Sequence, residues 1–386
     1  MAKHATPASG PRLTIREVET IPLRVPFAAP FTMAAPHEAK REAVDVLLVR
    51  VHTAEGLTGI GETQAWRRQA SSEVLLNLVR TVRELYRPLL VGRSPFDVAA
   101  ILHDLNACVY NSLYAQAAVG DALYDLMGKA LGLPVWALLG GKCREQVQVG
   151  LALGITSPPE AMIEQAEAVY RQGYRHLRIK IGLDPTADAE NVRRLREHFG
   201  DRVVLRADAN GGMTFPDAQR LLKKLEPFDL DIVEQPVPGW DLDGMAQLCR
   251  GTSIPLSADE SLSTDHSLVE IITRRAASII QTKAAKNGGI HYTRSLWALA
   301  RAAGIQIFPG NHPSTSVSVA SVAHLCAAWP DKLLVGDFQT GLCSMLATDV
   351  VQTPICVKDG WLTIPEGPGL GVELDEDQLA RLRVDA

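Results

Sequence analysis

The sequence predicts an α/β protein: a closed, TIM-like (β/α)8 barrel over 141–350, an α+β domain before it over 13–140, and a tail over 351–386 that returns to that domain. Three observations predict it. The chain has 386 residues, and single cores rarely grow past roughly 250–300 residues, so two domains are expected. From residue 147 onward a short apolar strand alternates with a helix eight times, the pattern of a parallel sheet with right-handed crossovers. Ionisable residues close successive strands at separations of 24 to 29 residues, the length of the repeat itself.

Residues 1–12 have no apolar core and read as a disordered tail, not a secretory leader. Strands follow at 13–25 and 43–64, the second folding back at Ala54-Glu55-Gly56. The Pro- and Ala-rich stretch 26–42 lacks any period and reads as a long loop. Three helical segments come next, over 71–90, 94–109 and 115–132. Ser94 and Asp97 suit the opening turn of the second, and Gly132 with Pro134 stops the third.

The barrel strands are read at 147–154, 176–182, 202–210, 231–236, 254–260, 278–284, 305–311 and 332–337. Helices fill the gaps, among them 158–171, 217–225, 290–303 and 317–328. A doubly wound open sheet is the alternative, disfavoured because no Gly-rich dinucleotide turn follows the first strand. The glycines of "GPGLGVEL" near 367 precede no helix and read as a surface turn.

A net charge of −5 gives no footprint for nucleic acid or anionic lipid. No stretch of about 18 apolar residues could cross a membrane. The six cysteines are scattered without a CxxC pair, which points to reduced thiols. A cytoplasmic homo-oligomer acting on a small carboxylate is the expectation.

The strand-end residues carry the chemistry. They are Lys180, Asp208, Glu234, Asp259, Lys283, Asn311-His312 and Asp337, and strand ends of such a barrel converge on one face. A single Asp or Lys there is most often a helix cap or a solvated residue. Three consecutive strands ending in carboxylates, flanked on each side by a lysine-bearing strand, are not explained by independent caps. Three carboxylates without His or Cys suit Mg²⁺, with Mn²⁺ possible, rather than zinc. Removing the proton α to a carboxylate at neutral pH faces a gap of roughly twenty pKa units, or ~27 kcal/mol. A lone lysine cannot close it, but a divalent cation that stabilises the enediolate oxygens can. Lys180 is the candidate base and must be neutral when it acts, whereas Arg178, on the same strand face, cannot give up its proton.

These residues carry a resemblance to the enolase superfamily, and within it to the muconate lactonizing enzyme branch of the mandelate racemase/muconate lactonizing enzyme family. The matching stretches are "ALYDLMGKALGLPVWALLGG", "RIKIG", "RADAN", "VEQP", "ADES" and "QTKAAKNGGI". The resemblance implies that Asp208, Glu234 and Asp259 are magnesium ligands and that Lys180 and Lys283 are the acid/base pair. It makes Asn210 and Glu260 their outer partners, Glu260 orienting Lys283, and makes 13–140 with the tail a capping domain. Loops at Pro30–His37 and Gln64–Arg68 would close over the substrate.

Two features depart from the family pattern. Arg178 stands where relatives keep the first lysine of Lys-x-Lys, and could hold a substrate carboxylate bidentately. His312 stands where the racemase branch keeps a catalytic histidine paired with an Asp on strand six, but strand six here offers Lys283. His312 is therefore a substrate contact or a loop histidine, and Asp337 an acid, a hydrogen-bond partner or a structural residue. The implied activity is α-proton abstraction through an enediolate, muconate cycloisomerase-like. An N-acylamino acid or dipeptide racemase/epimerase, a hydroxy-acid dehydratase, a Schiff-base lyase and a catalytically dead binding barrel are the alternatives.

Overall fold

The computed structural model describes residues 12–31, 41–65, 73–154, 159–338 and 345–385. Strands β1 (Ile15–Phe31), β2 (Arg41–Thr53) and β3 (Thr58–Gln64) form an antiparallel sheet in chain order. The hairpin turns at Ala54–Leu57, with Gly56 at φ +90°, a conformation that favours glycine. Strand β1 runs through to Phe31 and pairs it with Arg41, so much of the stretch expected to be loop is strand. Residues 32–40 and 66–72 lie outside the described residues, and with them most of the two loops expected to close over a substrate.

Helices α1 (Leu75–Arg80) and α2 (Arg87–Leu90) are joined by a π-helical stretch at 81–86, and α3 (Val98–Cys108), α4 (Leu113–Leu131) and α5 (Val135–Leu138) follow. Asp97 is the residue at the start of α3 but makes no side-chain cap; Ser94 Oγ instead accepts from Phe96 N–H. Gly132 ends α4 in the left-handed conformation, as expected from its place before Pro134. Helix α4 lies on the sheet so closely that a Cβ at Gly61 would stand 2.1 Å from the Ala118 carbonyl oxygen.

The barrel strands are β4 (Gln146–Leu153), β5 (His176–Lys180), β6 (Val204–Asp208), β7 (Ile232–Glu234), β8 (Leu256–Ala258), β9 (Ile279–Lys283), β10 (Gln306–Gly310) and β11 (Gly336–Asp337). They are parallel in chain order, and β11 pairs back to β4. The sheet is closed, which excludes the open alternative. Its crossover helices are α6 (Pro159–Arg171), α7 (Pro185–Phe199), α8 (Phe215–Leu225), α9 (Leu242–Gly251), α10 (Asp265–Arg274), α11 (Gly289–Ala302) and α12 (Ser316–Ala328). Seven of the eight strands are shorter than the runs that predicted them, and β4 keeps the predicted length.

The tail departs from expectation at its start. Strands β12 (Val357–Lys358) and β13 (Trp361–Thr363) form a hairpin, and β13 pairs antiparallel with barrel strand β4. The chain touches the N-terminal domain before this hairpin, at the bridge between Leu346 and Phe27, and again beyond it, where α13 (Glu376–Leu382) leads to a bridge between Arg383 and Leu23. The "GPGLGVEL" segment is no surface turn. Leu370 is buried and its N–H donates to Asp125 Oδ1 of α4 at 2.7 Å. Four thiols are free, Cys108, Cys143, Cys249 and Cys326. Cys356 is disulfide-bonded, which overturns the expectation of uniformly reduced cysteines. No helix among the described residues is long and apolar enough to cross a membrane.

Candidate active site

Strand register assembles the mouth. Lys180, Asp208 and Glu234 are successive partners across β5, β6 and β7, so their side chains share one layer of the barrel interior. Lys283, Gly310 and Asp337 are partners across β9, β10 and β11. Asp259 follows β8 directly, two residues beyond Ser257, the partner of Glu234. In "HLRIKIG" the apolar residues Leu177, Ile179 and Ile181 are buried, and so are Arg178 and Lys180. The polar face of the strand lines the barrel interior instead of meeting water.

Each carboxylate carries a cation. Lys180 Nζ lies 2.5 Å from Asp208 Oδ2 and donates to Asn210 Oδ1 at 2.8 Å. Asn210 in turn donates its backbone N–H to Asp208 Oδ1 and its amide to Glu260 Oε1 at 3.2 Å. It does so from φ +47°, the left-handed region that asparagine tolerates better than most residues. On the far side Lys283 Nζ lies 2.5 Å from Asp259 Oδ2, and Lys286 Nζ lies 2.5 Å from Asp259 Oδ1. Between them Arg178 places Nη1 2.5 Å from Glu234 Oε2 and 3.2 Å from Asp208 Oδ2, with Nε 2.6 Å from Asp337 Oδ2. The guanidinium expected to grip a substrate carboxylate is therefore engaged by carboxylates of the protein.

The electrostatics follow from burial set against these pairs. Burial opposes the charge on Asp208, but Lys180 and Arg178 outweigh it and hold the carboxyl below its ordinary range. Burial likewise opposes Asp259, and Lys283 with Lys286 hold it well below. Glu234 is pushed well above the ordinary range by burial, which Arg178 only partly offsets while Asp208 and Asp259 add to it. Glu260 is pushed up to about 7 by burial, reinforced by Asp259 and Asp208. Burial works against the Lys283 ammonium, yet Asp259, Glu234 and Glu260 raise its pKa above the lysine value.

Among the described residues no three Asp, Glu, His or Cys side chains stand in metal-holding geometry; lysine and arginine nitrogens sit on the oxygen atoms instead. The donor set nevertheless fits a hard divalent cation. The three oxygen-ligand side chains are buried on neighbouring strands, and Glu234 is left short of positive charge.

The remaining expected residues, Asn311 and His312, are buried directly after β10. His312, after β10, accepts or donates at Nε2 with the Tyr114 hydroxyl at 3.0 Å, and the two rings stack at 5.9 Å. Tyr114 comes from the start of α4, so this contact joins the two domains. Asn311 donates to Ser314 Oγ at 2.6 Å.

Three participants were not foreseen. Gln281 on β9 sets its side-chain amide against Glu234, where the orientation with nitrogen towards the carboxylate satisfies both groups; its spacing of two from Lys283 was the available signal. Gln235, at φ +38°, accepts from both Asp259 and Ser261 N–H through its side chain. Lys286, three residues past Lys283, lies in a turn, where strand period gives no signal.

Known proteins match along nearly the whole chain. A family model described as the mandelate racemase/muconate lactonizing enzyme N-terminal domain matches residues 15–140, and one described as enolase C-terminal domain-like matches 161–378. Muconate cycloisomerase 1 of Rhodococcus opacus is 35% identical over 95% of this chain and 97% of its own. The L-Ala-D/L-Glu epimerase of Bacillus subtilis is 32% identical over 93% of this chain and 97% of its own. The solved N-succinyl Arg/Lys racemase of Bacillus cereus superposes with a TM-score of 0.90 at 28% identity, covering 96% of this chain and 98% of that one.

Proposed function

The chain belongs to the mandelate racemase/muconate lactonizing enzyme family of the enolase superfamily, and we propose that it removes the proton α to the carboxylate of a small substrate, as a muconate cycloisomerase-like isomerase. The observation that carries this reading is the pair of buried lysines on opposite sides of the mouth, each on its own carboxylate, Lys180 on Asp208 and Lys283 on Asp259. Asp208, Glu234 and Asp259 would hold Mg²⁺, or Mn²⁺ in its place. When bound, the cation offsets the negative charge that grows on the substrate carboxylate as its α-proton leaves.

The residues of the chain do the rest. Lys180, deprotonated, takes the proton at Nζ from one face. Asn210 fixes its direction by accepting one of its N–H bonds, and Asp208 fixes its place. Lys283, whose charge Asp259, Glu234 and Glu260 favour, faces the same carbon from the other side as an ammonium group. Arg178 keeps Glu234 and Asp337 in place from below.

A second reading is favoured by the same two lysines. If Lys283 returns a proton to the face opposite Lys180, the outcome is racemisation or epimerisation, the chemistry for which the Bacillus relatives are named. If instead a β-hydroxyl leaves, the outcome is dehydration, and if a tethered acyloxy group leaves, a lactone opens, which is cycloisomerisation in reverse. Incubation in D2O with a panel of lactones, N-acylamino acids and dipeptides, with and without Mg²⁺, tests the proposal. Mg²⁺-dependent deuterium uptake at the α-carbon is expected with at least one class. Uptake without loss of a bond elsewhere marks the epimerase reading, and no uptake with any class contradicts both.

A further inference from the structure

Lys286 lies in the turn between β9 and α11 with none of its surface exposed. A lysine ammonium has three N–H donors and no acceptor, and three oxygens stand around this one. They are Asp259 Oδ1 at 2.5 Å, the Asp259 carbonyl oxygen at 2.6 Å and the Gln281 carbonyl oxygen at 3.3 Å. Its donors are thus directed at the end of β8 and the body of β9, and none is left for a substrate. The turn that carries it is braced as well. Asn287 accepts from the Lys283 backbone N–H at 2.9 Å and donates to the Ser263 carbonyl at 3.0 Å.

Asp259 is consequently held between two lysines of unlike attachment. Lys283 meets its Oδ2 at 2.5 Å, from the end of a strand that opens on the mouth. Lys286 holds the other oxygen and the backbone of the same residue. Pulling a buried ammonium off all its acceptors would leave an uncompensated charge in the interior, which is strongly unfavourable.

We propose that Lys286 is a positioning residue: it stays on Asp259 through turnover and sets the Asp259–Lys283 side of the mouth, so that Lys283 can leave Asp259 Oδ2 without Asp259 turning after it. The proposal rests on the reading of Lys283 as the acid/base of one substrate face. Lys286 itself exchanges no proton with substrate. Its influence should fall on one stereochemical face, because among the described residues its hydrogen bonds go to Asp259 and Gln281 and not to Lys180, Asp208 or Asn210.

The test is the rate of α-deuterium uptake from each face separately, in D2O with Mg²⁺ and any carboxylate the wild type exchanges, for Lys286→Met beside Lys283→Met. Lys286→Met is expected to slow the Lys283 face by roughly 10–100-fold, the range found when residues that orient ligands are removed. It should act on kcat more than on KM and leave the Lys180 face near the wild-type rate. Equal loss on both faces, or none, overturns the proposal. Should Lys286→Met fail to fold, protein labelled with ¹⁵N-lysine supplies a second measurement. One slowly exchanging ammonium resonance should survive both Lys180→Met and Lys283→Met and persist with Mg²⁺ added; its absence overturns the proposal. A wild type that exchanges no carboxylate at all sinks the functional reading, and Lys286 is then judged by the ammonium measurement alone.

Discussion

Buried carboxyl groups serve this molecule in two places and in two ways. In the barrel mouth Asp208 and Asp259 lie against lysine and arginine nitrogens and are held below the ordinary carboxylate range against the effect of burial. At the seam between the domains Glu62 of β3 is equally buried but is met by hydrogen-bond donors alone. It accepts from Thr315 N–H at 3.0 Å, Ser318 N–H at 3.2 Å, Gln64 Nε2 at 2.9 Å and the Thr315 hydroxyl. Burial pushes it up to about 7. Asp121 of α4 repeats the pattern: it accepts from Ile290 N–H near the start of α11 and is pushed up to about 6 by burial. Dipoles at a helix N-terminus favour a negative oxygen but do not replace a full cation. The mouth is thus built to keep charge, and the seam to accept hydrogen bonds.

The largest effects should come from the mouth. Asp259→Asn is expected to bring Mg²⁺-dependent α-proton exchange below detection, since it removes a proposed ligand and the partner of two lysines. Glu62→Gln, which keeps a carbonyl acceptor, should retain most of the activity at pH 8. Equal losses would erase the distinction between the two places. Chelation by EDTA should likewise abolish exchange, with recovery on adding Mg²⁺ or Mn²⁺, as followed by proton NMR in D2O.

The seam should reveal itself in stability. A glutamate whose folded pKa is raised contributes stability that is present below its unfolded value, about 4.5, and is lost as pH rises through about 7. Glu62→Gln should therefore flatten the pH dependence across that window and stabilise the protein at pH 8. The ceiling is about 3 kcal/mol at 1.36 kcal/mol per pKa unit, read from urea unfolding at pH 5 to 8. Thr315→Ala removes both the cap of α12 and a donor to Glu62, and should cost about 1 kcal/mol in the same assay. The smallest effect is expected outside both places. Arg274 pairs with Asp243 and Glu270 at the surface, and Arg274→Ala should leave the melting temperature unchanged because water already screens such pairs.

Legibility in the sequence follows the same division. Lys180, Asp208, Glu234, Asp259 and Lys283 could be found because each closes a repeat and a strand has a fixed period. That Arg178 shares a face with Lys180 was readable for the same reason. That its guanidinium turns to Glu234 and Asp337 was not, because side-chain direction in a closed barrel depends on what the opposite strands carry. Lys286 sits in a turn, where no period applies. Glu62 and Tyr114 act only once two domains meet, and no local pattern announces the surface each will face. The tail misled for a related reason: β13 is three residues long, too short to show a period, and its partner is a strand more than two hundred residues earlier. The pairing of Cys356 has no local signal at all.

The central claim is that Lys180 is a base acting on a carbon acid. Its most direct measurement is α-deuterium uptake from D2O by wild type and Lys180→Ala in the presence of Mg²⁺, with each face of the α-carbon followed separately. Wild type should take up deuterium, and Lys180→Ala should lose uptake on one face completely while remaining folded. Undiminished uptake on both faces in Lys180→Ala would contradict the account.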